Sequence, residues 1–491
     1  MLMLENQHSF LDRADLVISK AALFKENSPK FIRSKEMTRN LLLDSGSRKS
    51  FTALSRPRNP TDHFMLASRT DLPLWVLQTF RSLRSKNYRV YALSQLVSNC
   101  GTWIQLTVIS WLVLDLTGSP FMLGLVNFLR LSPVAFLGFF GGFLADRFER
   151  KKILVWTKLI MFFQATLLGV LTISGHLETW HVLLLAFLLG LSNAIDLPAK
   201  QSITFNLVPK KDLINAVSLN TSSFHASRAV GPVIAIAIVY ALGSRLGEGV
   251  CFILNGVSFL FVVWALLKID SANQAGSSVK ERDGSMIDGL KRCLSFVCGN
   301  DNVRTVFTLG IISSLLCMQY IVMMPVFAKT VLNREIDGYG FLMSGAALGS
   351  FLGAMLLANK ARTGNILRIV IGVASMGFAV SLILFSLSTN FYLSVFLASF
   401  IGLFSTTQMS ASNSMIQLEV EDSLRGKVLS VWMTFVVGIG PVGGVLVGLA
   451  ATSYGAPLAM ATCGAMALVL SGTTLLSARA RQLRLSLDGA R

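Results

Sequence analysis

Twelve apolar runs, each long enough to cross a bilayer, constrain this chain more than any other feature it has. About 20 residues in a helix span the roughly 30 Å of hydrocarbon, and only a helix closes its own backbone hydrogen bonds within such a run. The runs fall near 89–114, 120–145, 152–174, 180–205, 214–241, 248–268, 304–327, 338–359, 366–387, 391–415, 427–452 and 456–477. The sequence therefore predicts an all-α, polytopic membrane protein with twelve transmembrane helices. A chain that is 53% hydrophobic and 14% charged has lipid as its main solvent.

The net charge of +18 would suggest nucleic acid in a water-soluble protein, but here the basic residues sit between the apolar runs. They concentrate in alternate joins. After runs 2, 4, 6, 8 and 10 come Arg147, Arg150, Lys151 and Lys152; Lys210 and Lys211; Lys280, Arg282, Lys291 and Arg292; Lys360 and Arg362; Arg425 and Lys427. The other joins hold only Arg245, Lys329 and Arg334. By the excess of positive charge on the cytoplasmic side, both termini and the even joins are expected in the cytoplasm, with the chain in the cell (inner or plasma) membrane.

Residues 1–83 form a polar tail, expected to be disordered or to lie at the membrane surface; its first 80 residues carry twelve Lys and Arg against eight Asp and Glu. A start codon placed too early, with Met65 as one alternative, would also explain it. The remaining expected divisions are a six-helix half (84–270), a cytoplasmic linker (271–303), a second six-helix half (304–478) and a basic tail (479–491). Within the linker, Ser271 to Gly284 is polar and flexible. Met286, Ile287, Leu290, Leu294 and Val297 then recur at helical spacing, as in an amphipathic helix on the membrane surface.

The halves repeat one another. Gly231-Pro232 in run 5 returns as Gly440-Pro441 in run 11, and Leu144-Ala145-Asp146-Arg147 is matched by Leu357-Ala358-Asn359-Lys360. Parallel repeats about an axis along the membrane normal are a transporter architecture with the substrate between the halves. Glycine beside proline in a membrane helix means a kink or a close helix approach, and both an ordinary kink and a role in the rocking interface stay open.

The segment Gly142-Phe-Leu-Ala-Asp146-Arg147-Phe-Glu-Arg150-Lys151-Lys152 resembles the loop signature between helices 2 and 3 of the major facilitator superfamily, except that Glu149 stands where the family often has glycine. A wider set is similar to the DHA3-type effluxers, which include enterobactin and macrolide exporters. It comprises Asn99-Cys-Gly101-Thr102-Trp103-Ile-Gln105, Leu116-Thr117-Gly118-Ser119-Pro120, Asp196-Leu-Pro198, Asn215-Ala216-Val-Ser218-Leu219-Asn220, Arg228-Ala-Val-Gly231-Pro232 and Arg425-Gly426-Lys427-Val428. The resemblance implies two pseudo-symmetric six-helix halves and proton-driven export. It also implies gating by Gly142, Asp146, Arg147, Arg150 and Lys151, a cavity lined by helices 1 and 7, and an antiporter-like motif at Gly231-Pro232.

Charges at membrane depth cost several kcal/mol unless paired or hydrated, so each is a candidate functional group. Arg130 lies about 15 Å into run 2, and Arg228 about 21 Å into run 5 with His225 one turn before it. Together they predict a positive cavity suited to an anionic or catechol-like substrate, with neutralisation by Asn127, Asn220 or backbone carbonyls as the structural alternative. Gln105 and Tyr320 are further cavity candidates, with packing or interface anchoring as the alternative. Asp196 is the one carboxylate read as well inside a run. Its depth suits a charge relay with Arg147 and Arg150, and proton coupling is the other reading. Asp115 and Glu248 are expected to be solvated helix ends.

The six cysteines form no CxxC pair, and no phosphate-binding loop, metal-ligand cluster or nucleophile triad is present in the sequence, so neither cofactor nor metal is expected and an enzyme is not. The expected function is secondary active export of a small organic compound, a siderophore or drug, by alternating access with proton antiport. The partners are then the lipid bilayer, the substrate and protons, and a monomer suffices. A facilitator or importer of the same fold, or a sensor or scaffold that no longer transports, are the alternatives.

Overall fold

A computed structural model describes residues 81–147, 149–209, 212–269, 286–360 and 364–488, all within one compact unit, Pro73–Arg491. The expected tail through residue 80, the flexible linker Ser271 to Gly284, the side chains of Asp146 and Arg147 and the surroundings of Gly142 lie outside the described residues. Twelve described helices are long and apolar enough to cross a membrane. They are α1 (Lys86–Thr117), α2 (Pro120–Arg147), α3 (Arg150–Ser174), α4 (Thr179–Leu207), α5 (Leu213–Leu242), α6 (Ser244–Lys268), α7 (Asp301–Val331), α8 (Ile336–Lys360), α9 (Gly364–Leu387), α10 (Phe391–Glu419), α11 (Asp422–Tyr454) and α12 (Ala456–Asp488). A further helix, Met286–Gly299, occupies the stretch expected to be amphipathic, and α12 runs on into the stretch expected as a tail.

The end of the bundle where α1 begins and α12 finishes is called proximal here, and the opposite end distal. Turns at the distal end are short. Gly118 after α1 has φ of +61° and donates its amide to Leu114 O, and Gly175 after α3 has φ of +77° and donates to Thr172 O. A side chain at such a left-handed C-terminal cap would clash with the backbone, which is why glycine stands there. At the proximal end, Ser85 Oγ accepts the Tyr88 amide at the start of α1, and Asn300 Oδ1 accepts the amides of Asn302 and Val303 at the start of α7. Exposed aromatic side chains ring both ends: Trp180, Tyr240, Tyr392 and Tyr454 distally, Trp156 and Trp264 proximally. Such girdles mark the two water–lipid interfaces.

Inside the bundle the same helix pairs recur in each half. In the first, α2 packs on α4 and α3 on α6; in the second, α8 packs on α10 and α9 on α12. Small residues set the spacing, because lipid supplies no hydrophobic pressure between helices and contact must be close to be favourable. A Cβ placed on Gly231 of α5 would stand 2.5 Å from Trp103 Cβ on α1, while one on Gly440 of α11 would stand 3.1 Å from Ser314 Oγ on α7. The repeated Gly-Pro pairs thus seat α5 on α1 and α11 on α7, equivalent positions in the two halves.

The halves meet through α2 with α11 and α5 with α8, again a symmetric exchange. A Cβ on Gly124 of α2 would lie 2.3 Å from Gly444 O on α11, and Phe121 donates its amide to Thr452 Oγ1 at 3.3 Å. Gly340 of α8 faces Ile236 of α5. Lys329 Nζ contacts Asp115 Oδ1 at 2.6 Å across the distal face. These contacts lie between mid-depth and the distal end.

Substituting Gly231→Ala is expected to cost about 1–3 kcal/mol by overpacking against Trp103. A Cβ at Gly426 meets nothing within 4 Å, so Gly426→Ala serves as a control. Thermal unfolding of the full chain in detergent checks this, and equal melting temperatures for the two variants would contradict the close α1–α5 approach.

Candidate functional site

Helix α7 is not a regular helix. It widens into π turns at Ser313–Cys317 and Phe327–Val331, with Tyr320 and Pro325 between them. Such turns displace the hydrogen-bonding register and leave carbonyls to other donors, and they cluster at functional positions. Two glutamine side chains supply donors here: Gln408 Nε2 of α10 donates to Leu309 O at 3.2 Å, while Gln319 Nε2 of α7 itself donates to Ser314 O at 2.7 Å and to Gly440 O of α11 at 3.0 Å. The rearranged α7 points Tyr320 at the first half, where its hydroxyl accepts a hydrogen bond from Arg228 Nη2 at 2.9 Å.

Around that bond a small polar and aromatic cluster forms near mid-depth. The Arg228 guanidinium lies 5.5 Å from the Trp103 ring centroid, and Phe224 packs edge-on to Trp103 at 5.6 Å. Arg228 Nε is buried without a hydrogen-bond partner among the described residues. Burying such a donor without a partner costs about 1–3 kcal/mol, which leaves an unused donor beside an aromatic wall. His225 sits on the same helix one turn earlier and is half-buried. Asn220, weighed as a neutralising partner for Arg228, instead accepts from Tyr88 Oη at 3.2 Å, so it ties α1 to α5.

Other sequence candidates are placed elsewhere. Arg130 Nη2 donates to Asn127 Oδ1 at 2.8 Å within α2, and no described contact joins it to Arg228. Gln105 is turned into the first half's own core: its Oε1 accepts from Asn255 Nδ2 of α6 at 2.5 Å, and its Nε2 reaches Gln164 Oε1 of α3 at 3.5 Å. That correction has a simple cause, since a buried amide is stabilised by the amides around it and α1 carries Gln105 on the face toward α3 and α6. Within the loop signature, Lys151 Nζ donates to Ile269 O at 2.8 Å and so caps α6, while Arg150 begins α3. Glu149 precedes α3 with φ of −61°, so that position makes no demand for glycine.

Asp196 departs most from expectation. It is 2% exposed and pairs with Lys158, Nζ to Oδ2 at 2.8 Å, while Thr157 Oγ1 donates to its other oxygen at 2.9 Å. The partner is therefore not Arg150. Lys158 lies about 12 Å into α3 from the proximal end and Asp196 about 17 Å from the proximal end of α4, so the antiparallel helices bring them to similar depth. Lys158 is a residue that the sequence reading misses. Its signal in the sequence is a cation inside an apolar run, at a depth similar to that of a lone carboxylate. The Phe259 ring, 5.4 Å from Nζ, and Lys200, which contacts Asn99 Oδ1 at 3.5 Å, complete the surroundings.

Of the two groups expected to be solvated helix ends, Asp115 is exposed and also pairs with Lys329 of the other half, whereas Glu248 is buried in α6 at 5% exposure. Among the described residues no cluster of three or more metal-ligating side chains occurs, and all six cysteines are free thiols.

Four likenesses bear on the chain. A family model described as transmembrane secretion effector matches residues 77–487. The staphyloferrin A transporter of Staphylococcus aureus (strain NCTC 8325 / PS 47) is 26% identical, the match covering 72% of this chain and 87% of that protein. Macrolide efflux protein A of Streptococcus pyogenes is 22% identical, covering 77% of this chain and 92% of that one. In fold, the chain is similar to the solved structure of a bacterial homolog of the human lysosomal transporter Spinster, inward-facing and unoccupied, with a TM-score of 0.66 at 15% identity over 80% of this chain and 97% of that one.

A buried ion pair is destroyed more cheaply as a pair than by halves. Lys158→Ala is accordingly expected to lose about 3–5 kcal/mol of stability, and Lys158→Met combined with Asp196→Leu to recover most of it. Unfolding of the purified variants in detergent measures both. A stable single variant would mean that the pair is hydrated.

Proposed function

Because the chain belongs to the transmembrane secretion effector family of the major facilitator superfamily, and is a multi-pass membrane transporter rather than an enzyme, we propose that it exports a small organic compound, a siderophore or drug, by alternating access coupled to protons. The observation that carries this reading is the Arg228–Tyr320 hydrogen bond between the halves, set against the Trp103 ring. A guanidinium with a spare donor beside an aromatic face suits an anionic or catechol-like group, which it can grip through two N–H bonds while the ring covers the apolar part. An incoming ligand would compete with the Tyr320 hydroxyl for Arg228 and loosen a contact between the halves. Binding and conformational change are then one event.

His225 and Arg130 add positive charge to this region in the proposal. Asp196 is the proton carrier: its carboxylate is held by Lys158 and Thr157, and protonation would release the lysine. The loop of Gly142, Asp146, Arg147, Arg150 and Lys151 gates the proximal side, with Lys151 anchored on α6 so that the first half moves as a body. Gly231-Pro232 and Gly440-Pro441 are its pivots. The proximal end faces the cytoplasm of a bacterial cell, as the basic even joins favour; the name of the staphyloferrin A transporter supports a siderophore as the substrate class, and that of macrolide efflux protein A supports export.

Proteoliposomes holding the full chain, with an imposed pH gradient and an anionic siderophore or a cationic macrolide as probe, test the reading. Arg228→Ala is expected to lower transport of the anionic probe roughly tenfold more than that of the cationic one, the worth of a charged hydrogen bond. An equal loss for both would overturn the cationic site. Asp196→Asn is expected to keep substrate counterflow and to lose accumulation driven by the gradient; gradient-driven accumulation at the wild-type rate would remove Asp196 from the coupling path.

A further inference from the structure

A cavity of about 1160 Å³ lies away from the meeting of the halves, on the flank of the second half. Its walls are α9 and α10, with the ends of α7 and α12 at the proximal side. The helices that reach the first half are α7, α8 and α11, so α9 and α10 are free to face lipid. Exposed Ile369, Val373 and Leu384 on α9 and Phe396 on α10 line the open side. From Arg368 to Leu384 the groove follows α9 for about 24 Å, which exceeds the roughly 15 Å of one hydrocarbon leaflet.

Polarity is confined almost wholly to one end. Ser381, the exception at depth, donates its hydroxyl to Gly377 O of its own helix. At the proximal end stand Arg368 and Arg479, and neither makes a hydrogen bond or ion pair among the described residues. Arg368 Nε is buried without a partner. The neighbouring charges are already matched: Asp301 is held by Arg304 and Arg481, and Glu419 accepts from Asn300 and Asn302. Two guanidinium groups are thus left over, side by side in function, at the mouth of an apolar slot. Small-molecule pockets of about 300–1,000 Å³ enclose their ligand with polar groups spread around it. This slot is larger, open along its length and charged at one end only.

We propose that the groove is a binding site for an anionic phospholipid of the proximal leaflet, its phosphate held by Arg368 and Arg479 and its acyl chains lying along α9 and α10. Guanidinium pairs with phosphate in a two-pronged geometry, and basic pockets between membrane helices select anionic head groups. The site is separate from the substrate cluster at Arg228 and does not depend on the transport reading. Its effect would be on the second half alone, fixing the α9–α10 flank as the halves rock.

Delipidated full-length protein in detergent, offered phosphatidylglycerol and phosphatidylcholine with matched acyl chains, tests this by native mass spectrometry. The wild type is expected to retain phosphatidylglycerol roughly tenfold over phosphatidylcholine, and Arg368→Gln with Arg479→Gln to bring the two to parity. Val373→Trp, on an exposed position that leaves both arginines in place, is expected to lower retention of both lipids by filling the slot. Equal retention of the two lipids by the wild type, an unchanged preference in the double variant, or undiminished retention in Val373→Trp would each overturn the proposal.

Discussion

In hydrocarbon there is no water to take up an unpaired amide and no hydrophobic effect to press one helix on another. Every polar atom at depth must find its partner inside the protein, and helices hold together only where they approach closely. That double requirement shapes this molecule. It explains why Gly231 and Gly124 stand where a methyl group would collide with a neighbouring backbone or Cβ. It also explains why Gln319 and Gln408 are spent on carbonyls around a distorted α7.

The two halves meet that requirement in different ways, although their helices pair alike. The first half keeps its charge buried: Lys158 and Asp196 neutralise each other within the α3–α4 contact, and Gln105, Gln164 and Asn255 form a chain of amides between α1, α3 and α6. The second half keeps its described charges near its ends and bends its backbone instead, through the two π turns of α7. Pseudo-symmetry of chain path has therefore come with asymmetry of chemistry. The Arg228–Tyr320 bond is where the two styles touch, a charge from one half meeting a side chain carried by the bent helix of the other.

That chain path was legible in the sequence because it depends on properties that add up over twenty residues. Twelve apolar runs, the helix from Met286 and the paired Gly-Pro sites all follow from composition and spacing. The site was legible only in part. Arg228 and Tyr320 stand out as a cation and a tyrosine in apolar runs, yet nothing local says that they meet across 92 positions of chain. Gln105 was read as facing a cavity because polarity at depth has two readings, solvent or another buried amide, and a single residue does not choose between them. Asp196 was matched to arginines near it in the expected loop, whereas Lys158 lay on the adjacent antiparallel helix at matching depth. The π turns of α7 left no mark in the apolar pattern at all, since they alter the register of hydrogen bonds and not the kind of residue.

The way the halves are joined says how hard they would be to separate in the proposed cycle. At the distal face the Lys329–Asp115 pair is largely exposed, and such pairs contribute about 0.2–1 kcal/mol. At mid-depth, Arg228–Tyr320 is a single hydrogen bond with a charged donor, with a typical net contribution of about 1.5–3 kcal/mol. The glycine crossings of α2 with α11 add dispersion contacts that reform wherever the helices slide together again. None of these is on the scale of the buried Lys158–Asp196 pair, whose loss of one partner costs about 3–5 kcal/mol. The contacts between the halves are thus individually weak, and a ligand that takes Arg228 away from Tyr320 needs only a few kcal/mol of differential affinity to shift the balance. Contacts of that strength would let two six-helix bodies rock in the proposed cycle without unfolding.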